Sequence, residues 1–209
     1  CVLATGHSAR DIFEMLSEQG VPLEAKPFAV GVRLEIPQQR IDAAQWGGSY
    51  PDLGKASFRL TRREEQNARS CYTFCMCPGG LVISCASSEG LITSNGMSLS
   101  KRDKFSGNAA FLVPVLPSDF PAATIPELAG IEFQKKMEAA AFAAGGSNYS
   151  LPAQRLVDFL EGNSASALPD ERSCTRAVPA QLRGLLPEFV EHTLRSAVPN
   201  MLRGMRGVE

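Results

Sequence analysis

The sequence predicts an α+β chain in which an antiparallel β-sheet or partly closed barrel is followed by a helical subdomain. Three observations carry that prediction. Residues Phe28–Ile36 alternate apolar and other side chains with period two, as a half-buried strand does. Short apolar runs then recur between Ala56 and Leu116, separated by Gly, Pro, Asn and Ser, which is the pattern of closely connected antiparallel strands. Beyond Pro117 the texture turns to Ala, Glu, Lys, Met and Phe over Glu127–Ala144, a helix-forming composition.

In chain order, Val2-Leu3-Ala4 reads as the end of a strand that enters a turn at Gly6 and then a helix. Ser8 and Asp11 have the spacing of a capping box, Ile12, Met15, Leu16 and Gln19 repeat at helical spacing, and Gly20 with Pro22 stops the helix. A strand, a glycine turn and a helix N-terminus can leave backbone N–H groups facing a polar ligand, or can simply connect two elements. The strand Phe28–Ile36 is expected to bury one face and to carry Arg33 and Glu35 on the other, with Pro37 ending it. Ile41–Gly54 reads as a loop, with Trp46 and Tyr50 forming either an aromatic lid or the loop's own anchor. Strands are expected at Ala56–Thr61, Ser70–Cys75, Leu81–Ala86, Leu91–Ser94 and Ala110–Leu116. Helices are expected at Glu127–Ala144, at Ala153–Glu161 opened by Pro152, and from Pro187 to Ala197 with a break at Pro199; Asn163–Ser173 reads as a polar loop. These elements divide the chain into residues 1–27, a β-rich module at 28–125 and a helical module at 126–209.

The 209 residues suffice for a substantial core. A net charge of −1 gives no electrostatic footprint for nucleic acid, and no apolar run approaches the roughly 20 residues of a membrane span. The six cysteines are too few and too unevenly spaced for a secreted disulfide framework, so a cytoplasmic, reduced protein is expected. Both ends read as cut, as in an internal fragment of a longer chain.

Cys71-Tyr72-Thr73-Phe74-Cys75-Met76-Cys77-Pro78-Gly79-Gly80 holds half of the cysteines. Zinc or iron–sulfur ligation by Cys71, Cys75, Cys77 and Cys85 fits the spacing poorly, because zinc sites pair Cys-x2–4-Cys motifs, and no metal is expected. Thiol chemistry at Cys75 and Cys77 is open beside two glycines that let a ligand approach; so is a tight turn with inert thiols. Cys1 and Cys174 read as structural. Lys101 and Arg102 are either a solvated turn or a hold on an anionic substrate. His7 lies at the first turn, and His192 on an exposed helix face. Glu64-Glu65 sits in a charged stretch.

The segment Val2–Asp11 resembles the Ala-Thr-Gly strand end of flavoproteins of the glutathione-reductase type. Glu24–Phe28, Gly31-Val32-Arg33, Tyr72–Gly80, Thr93–Ser98, Gly130–Gln134, Pro152–Arg155 and Asp158–Leu160 extend the resemblance to bacterial FAD-dependent dehydrogenases. The resemblance implies an oxidoreductase whose cofactor is FAD, with this chain as mainly its insert domain and residues 1–27 as the edge of the FAD-binding α/β domain. The Gly-x-Gly-x-x-Gly turn of such a parent does not occur in this sequence. On this resemblance Thr5, Gly6 and His7 approach FAD, and Cys75 to Gly80 face the substrate side, with Pro78, Gly79 and Gly80 offering bare backbone to flavin or substrate. The partners implied are the FAD-binding remainder of the parent and a small-molecule substrate. The fragment alone is expected to be inactive and to retain little FAD. Two rival readings stand beside this one: a thiol- or metal-dependent binding module, and a non-catalytic interaction domain.

Overall fold

A computed structural model describes residues 2–6, 8–47, 52–64, 69–205 and 207–208. The helix α1 spans Arg10–Glu18, the strand β1 Phe28–Pro37 and the helix α2 Gln38–Trp46. The strands β2 (Thr61–Arg63), β3 (Ser70–Cys77), β4 (Gly80–Cys85), β5 (Thr93–Ser98) and β6 (Ser106–Val115) follow. The last third holds α3 (Ala129–Ala144), β7 (Leu151–Ala153), α4 (Leu156–Glu161), β8 (Ala177–Pro179) and α5 (Glu188–Arg203). The fold is α+β, and its sheet is open rather than a barrel. Four antiparallel strands lie in the order β1-β6-β3-β2, β4 and β5 form a hairpin, and β7 and β8 a short parallel pair.

The ten-residue register of β1 on β6 runs without a bulge, from Phe28 opposite Val115 to Pro37 opposite Ser106. Alternation then gives the sheet two unlike faces. Val30, Val32, Leu34 and Ile36, with Phe111, Val113 and Val115, pack in one core with Val190, Leu194, Ala197 and Val198 of α5. Residues 28–125 and 126–209 thus contribute to the same core. At Gly31 the strands press together, since an added Cβ would lie 1.9 Å from the Phe111 carbonyl oxygen.

Several sequence expectations are corrected. Val2-Leu3-Ala4 is irregular and exposed, not a strand, because no neighbouring strand pairs with it among the described residues. The Ser8–Asp11 capping box does not form; Ala9 is the N-cap and makes no side-chain bond. Residues 41–46 are helical, not loop: Gln38 Nε2 donates to Asp42 Oδ1 one turn on (2.6 Å) and to the Ala56 carbonyl (2.9 Å), tying α2 to the sheet. Of Ala56–Thr61 only Thr61 enters the ladder, although Ala56 and Phe58 are buried. Pro152 lies in β7, so the helix after it starts at Leu156. α5 runs through Pro199. The buried stripe Ala197, Val198, Met201, Leu202 continues past the proline, and that packing outweighs a penalty of about 3 kcal/mol.

Candidate functional site

The cysteine-rich strand contains a bulge. Phe74 opposes Ala110 and Cys77 opposes Asn108, so three steps on β3 match two on β6. The extra residue is absorbed at Cys75, whose φ of 47° is left-handed, a conformation uncommon outside glycine. On a regular strand Cys75 and Cys77, two residues apart, would share a face; here Cys75 is exposed and Cys77 buried. The Cys77 thiol donates to the Cys75 carbonyl at 3.4 Å. Arg33 Nη1 donates to the same carbonyl (3.1 Å) and to Asn108 Oδ1 (2.8 Å), fixing the bulge from β1. Gly96 of β5 lies over this cluster, where a Cβ would meet Asn108 Oδ1 at 2.3 Å and Arg33 Nη1 at 2.4 Å.

Pro78, Gly79 and Gly80 are buried within the chain. Gly79 has φ 49°, its N–H donates to Gln38 Oε1 at 2.7 Å, and a Cβ there would lie 1.9 Å from the Arg102 carbonyl oxygen. A Cβ at Gly80 would lie 2.6 Å from the Met97 carbonyl oxygen. Close internal packing therefore accounts for both glycines. Ser98 Oγ donates to the Pro78 carbonyl at 2.8 Å and closes the turn.

The thiols differ in environment. Burial pushes Cys71 up to about 12, with a smaller contribution from Glu64. Burial also raises Cys77, reinforced by Cys75 and opposed by Arg33, and raises Cys174. All three stay protonated near neutrality and are poor nucleophiles; Cys75 is the exposed thiol of the motif. No group of three His, Cys, Asp or Glu side chains among the described residues could hold a metal ion.

The larger feature is a cavity of about 880 Å³ along the free edge of β1. Eight consecutive residues, Phe28–Glu35, line it. A wall made by a consecutive run is a strand's edge, since side chains alternate between faces. The outer sheet face contributes Ala110 and Leu112, the hairpin Val82 and Ile92, α3 Met137 and Ala141, and the stretch after α4 Leu168, Arg172 and Cys174. Arg33 and Glu35, expected to face solvent, lie here half-buried. Ser106 Oγ donates to Glu35 Oε1 (2.8 Å), as does the Ser173 N–H (2.7 Å), and Ser173 Oγ donates to Oε2 (2.6 Å).

The N-terminal segment reaches the rim of this cavity. Arg10, only 3% exposed, forks onto Glu138 of α3 at 2.6 and 3.0 Å, and the Ser87 and Ser8 hydroxyls lie 3.3 Å apart; Ser87 and Glu138 both line the cavity. Thr5 and Gly6 are exposed beside Ser8, and Gly6 has φ 77°. His7, Tyr50, Glu65 and Cys1 lie outside the described residues. Trp46 Nε1 donates to the Gly54 carbonyl at 3.1 Å, so this aromatic anchors its own loop. Lys101 and Arg102 line a separate cavity with Asp42 and Lys55. His192 is exposed. Glu64 is buried rather than in a charged loop, and accepts from Arg62 and Ser196. Sequence reasoning did not assign Ser173, Arg172 or Asn108 to any site. None of them left a mark: even Asn108 lies before the expected strand Ala110–Leu116, in the polar start of β6.

Fold and cavity together define an α+β domain arranged around one apolar cleft with a charged end. Residues 27–209 match the family described as FAD-dependent protein, C-terminal domain-like, and the chain belongs to that family. It is also 39% identical over 216 residues to an uncharacterised protein of Clostridium beijerinckii, a match covering 99% of this chain. The chain spans 39% of that relative's length.

No dinucleotide-binding glycine turn occurs in the sequence. The N-terminus of α1 carries Asp11 in its first turn, a carboxylate where a pyrophosphate would require neutral or cationic surroundings. No helix among the described residues is long and apolar enough to cross a membrane.

Proposed function

We propose that this chain is the substrate-side portion of an FAD-dependent oxidoreductase of the dehydrogenase type, with the flavin held by the remainder of the parent. The cavity along β1 carries the proposal. Its volume and mainly apolar walls suit a small organic molecule, and it belongs to a chain of an FAD-dependent family that has no pyrophosphate turn. Thr5, Gly6 and His7 are assigned to the flavin side, because the segment that bears them is tied to the cavity rim through Ser8 and Arg10. Of the two catalytic candidates Cys75 is the exposed one; it does not itself line the cavity, and Arg33, which does, holds its carbonyl. Pro78, Gly79 and Gly80 serve by holding the bulge that presents it. The five described cysteines are free thiols, which suits a reducing cytoplasm.

The parent's flavin would accept or deliver the hydride, and the residues of this chain would bind and orient the substrate. The isolated chain is then inactive. The test is Ala110→Trp in the intact parent, which places an indole in the cavity wall. Retained flavin with lost substrate-dependent flavin reduction supports the assignment. Unchanged turnover with the cavity filled overturns it.

A further inference from the structure

We infer that the cavity along β1 takes an apolar monocarboxylate whose carboxylate is received between Arg33 and Arg172; the inference deepens the substrate-side reading and rests on it for its catalytic meaning. Both arginines line the cavity. Arg33 donates to neutral acceptors, the Asn108 amide oxygen and the Cys75 carbonyl, and Arg172 to the Pro169 carbonyl at 2.8 Å. No ion pair involves either guanidinium among the described residues. Each therefore brings an uncompensated charge and an uncommitted terminal nitrogen to a half-enclosed, mostly apolar space, where a guanidinium seeks an anion with a planar fork.

The fold brings the two together. Arg33 and Glu35 are two residues apart on β1 and point to one face. Ser173, the neighbour of Arg172, is pinned to Glu35 by two bonds and to β4 through the Val82 N–H at 2.9 Å. Both guanidiniums thus belong to the Glu35–Ser173 end of the cavity. Glu35 is the carboxylate at that end, and its three donors there are the neutral groups of Ser106 and Ser173. Glu171 and Arg155 also line the cavity, but both are exposed to solvent; the half-buried charges at this end are Arg33, Arg172 and Glu35, which leave a single positive charge. That charge matches one carboxylate, whereas a phosphate dianion would leave negative charge beside Glu35 in a poorly solvated space. Glu138, further along, is already neutralised by Arg10. Away from this end Ile92, Met137, Leu151, Leu182 and Leu186 line the cavity, with Gln134 and Gln154 among them, so the rest of the ligand is mainly apolar.

The test uses a matched pair of fluorescent probes, 1-pyrenebutyrate and 1-pyrenebutanol, titrated into the 209-residue chain. The carboxylate is expected to bind saturably, one per chain, at least tenfold more tightly than the alcohol. Arg172→Gln, which gives up a bond to the exposed Pro169 carbonyl, should remove that preference while circular dichroism stays unchanged. Ala110→Trp should abolish binding of both probes. Equal affinity for the two probes, a preference that survives Arg172→Gln in a folded chain, or displacement of the carboxylate by millimolar inorganic phosphate would each overturn the assignment. The two levels separate in the intact parent. Turnover of a substrate whose affinity ignores both arginines overturns the ligand class alone. Arginine-dependent carboxylate binding with turnover unaffected by Ala110→Trp leaves the ligand class standing and overturns the substrate-side reading.

Discussion

The two faces of the main sheet are made by the same two strands and serve opposite ends. On the inner face Val30, Val32, Phe111 and Val113 are packed against α5, and Phe111 and Val113 have no exposed surface. On the outer face the same strands show Arg33, Glu35, Ala110 and Leu112 to a cavity. The inner face is closed by apolar contact and holds the fold together. The outer face is left open, and its charges are arranged with hydroxyls and amides rather than with ion pairs. The contrast teaches that burial alone does not mark function here. The informative signal is charge that is half-enclosed and not neutralised.

The largest effect should come from breaking the inner face. Phe111→Ala is expected to cost about 3–5 kcal/mol, measured by urea denaturation, while Leu112→Ala, its neighbour on the cavity side, should cost about 1 kcal/mol. Similar losses at both positions would erase the distinction between the faces. Next in size is Gly79→Ala. Its backbone is left-handed and its Cβ would strike the Arg102 carbonyl, so a loss of about 2–3 kcal/mol is expected. Wild-type stability in this variant would mean the turn is not packed as described.

A further effect is absent at neutral pH and grows only in alkali. The Cys71 thiol is raised from 9.0 to about 12, mainly by burial, so the unfolded chain loses this proton at lower pH than the folded one. Its contribution to stability is intact below about pH 9 and declines as pH rises toward 12, by about 1.4 kcal/mol per unit. Cys71→Ala should flatten the stability profile between those limits by that slope, and identical slopes in the two proteins would refute the buried environment. The mildest probe is alkylation. Brief iodoacetamide treatment followed by mass spectrometry should modify Cys75 well before Cys71, Cys77 and Cys174, and equal labelling would show the bulge to be open.

Much of this fold was legible where local pattern and tertiary environment agree. The alternation in Phe28–Ile36 marked β1, and the alanine-rich run before Gly145 marked α3. Pattern failed where packing decides. Pro199 reads as a break, yet α5 runs on because its apolar stripe continues beyond it. Ile41–Gly54 reads as loop from Gly47 and Gly48, whereas the side chains of Gln38 and Asp42, which fix α2 to the sheet, leave no local periodicity. Arg33 and Glu35 read as a solvent face because nothing local announces that α3 and residues 168–174, far along the chain, fold back over them. The spacing of Cys75 and Cys77 reads as one face of a strand, because a bulge leaves no local trace when its left-handed residue is not glycine.

The division of labour between cavity and cofactor is tested most directly by titrating FAD into the isolated 209-residue chain while following flavin fluorescence, with the intact parent measured alongside. The parent should carry flavin stoichiometrically, and the isolated chain should show no saturable binding. Tight binding of FAD by the isolated chain, lost in Ala110→Trp, would make the cavity the flavin's own seat and contradict its assignment to the substrate.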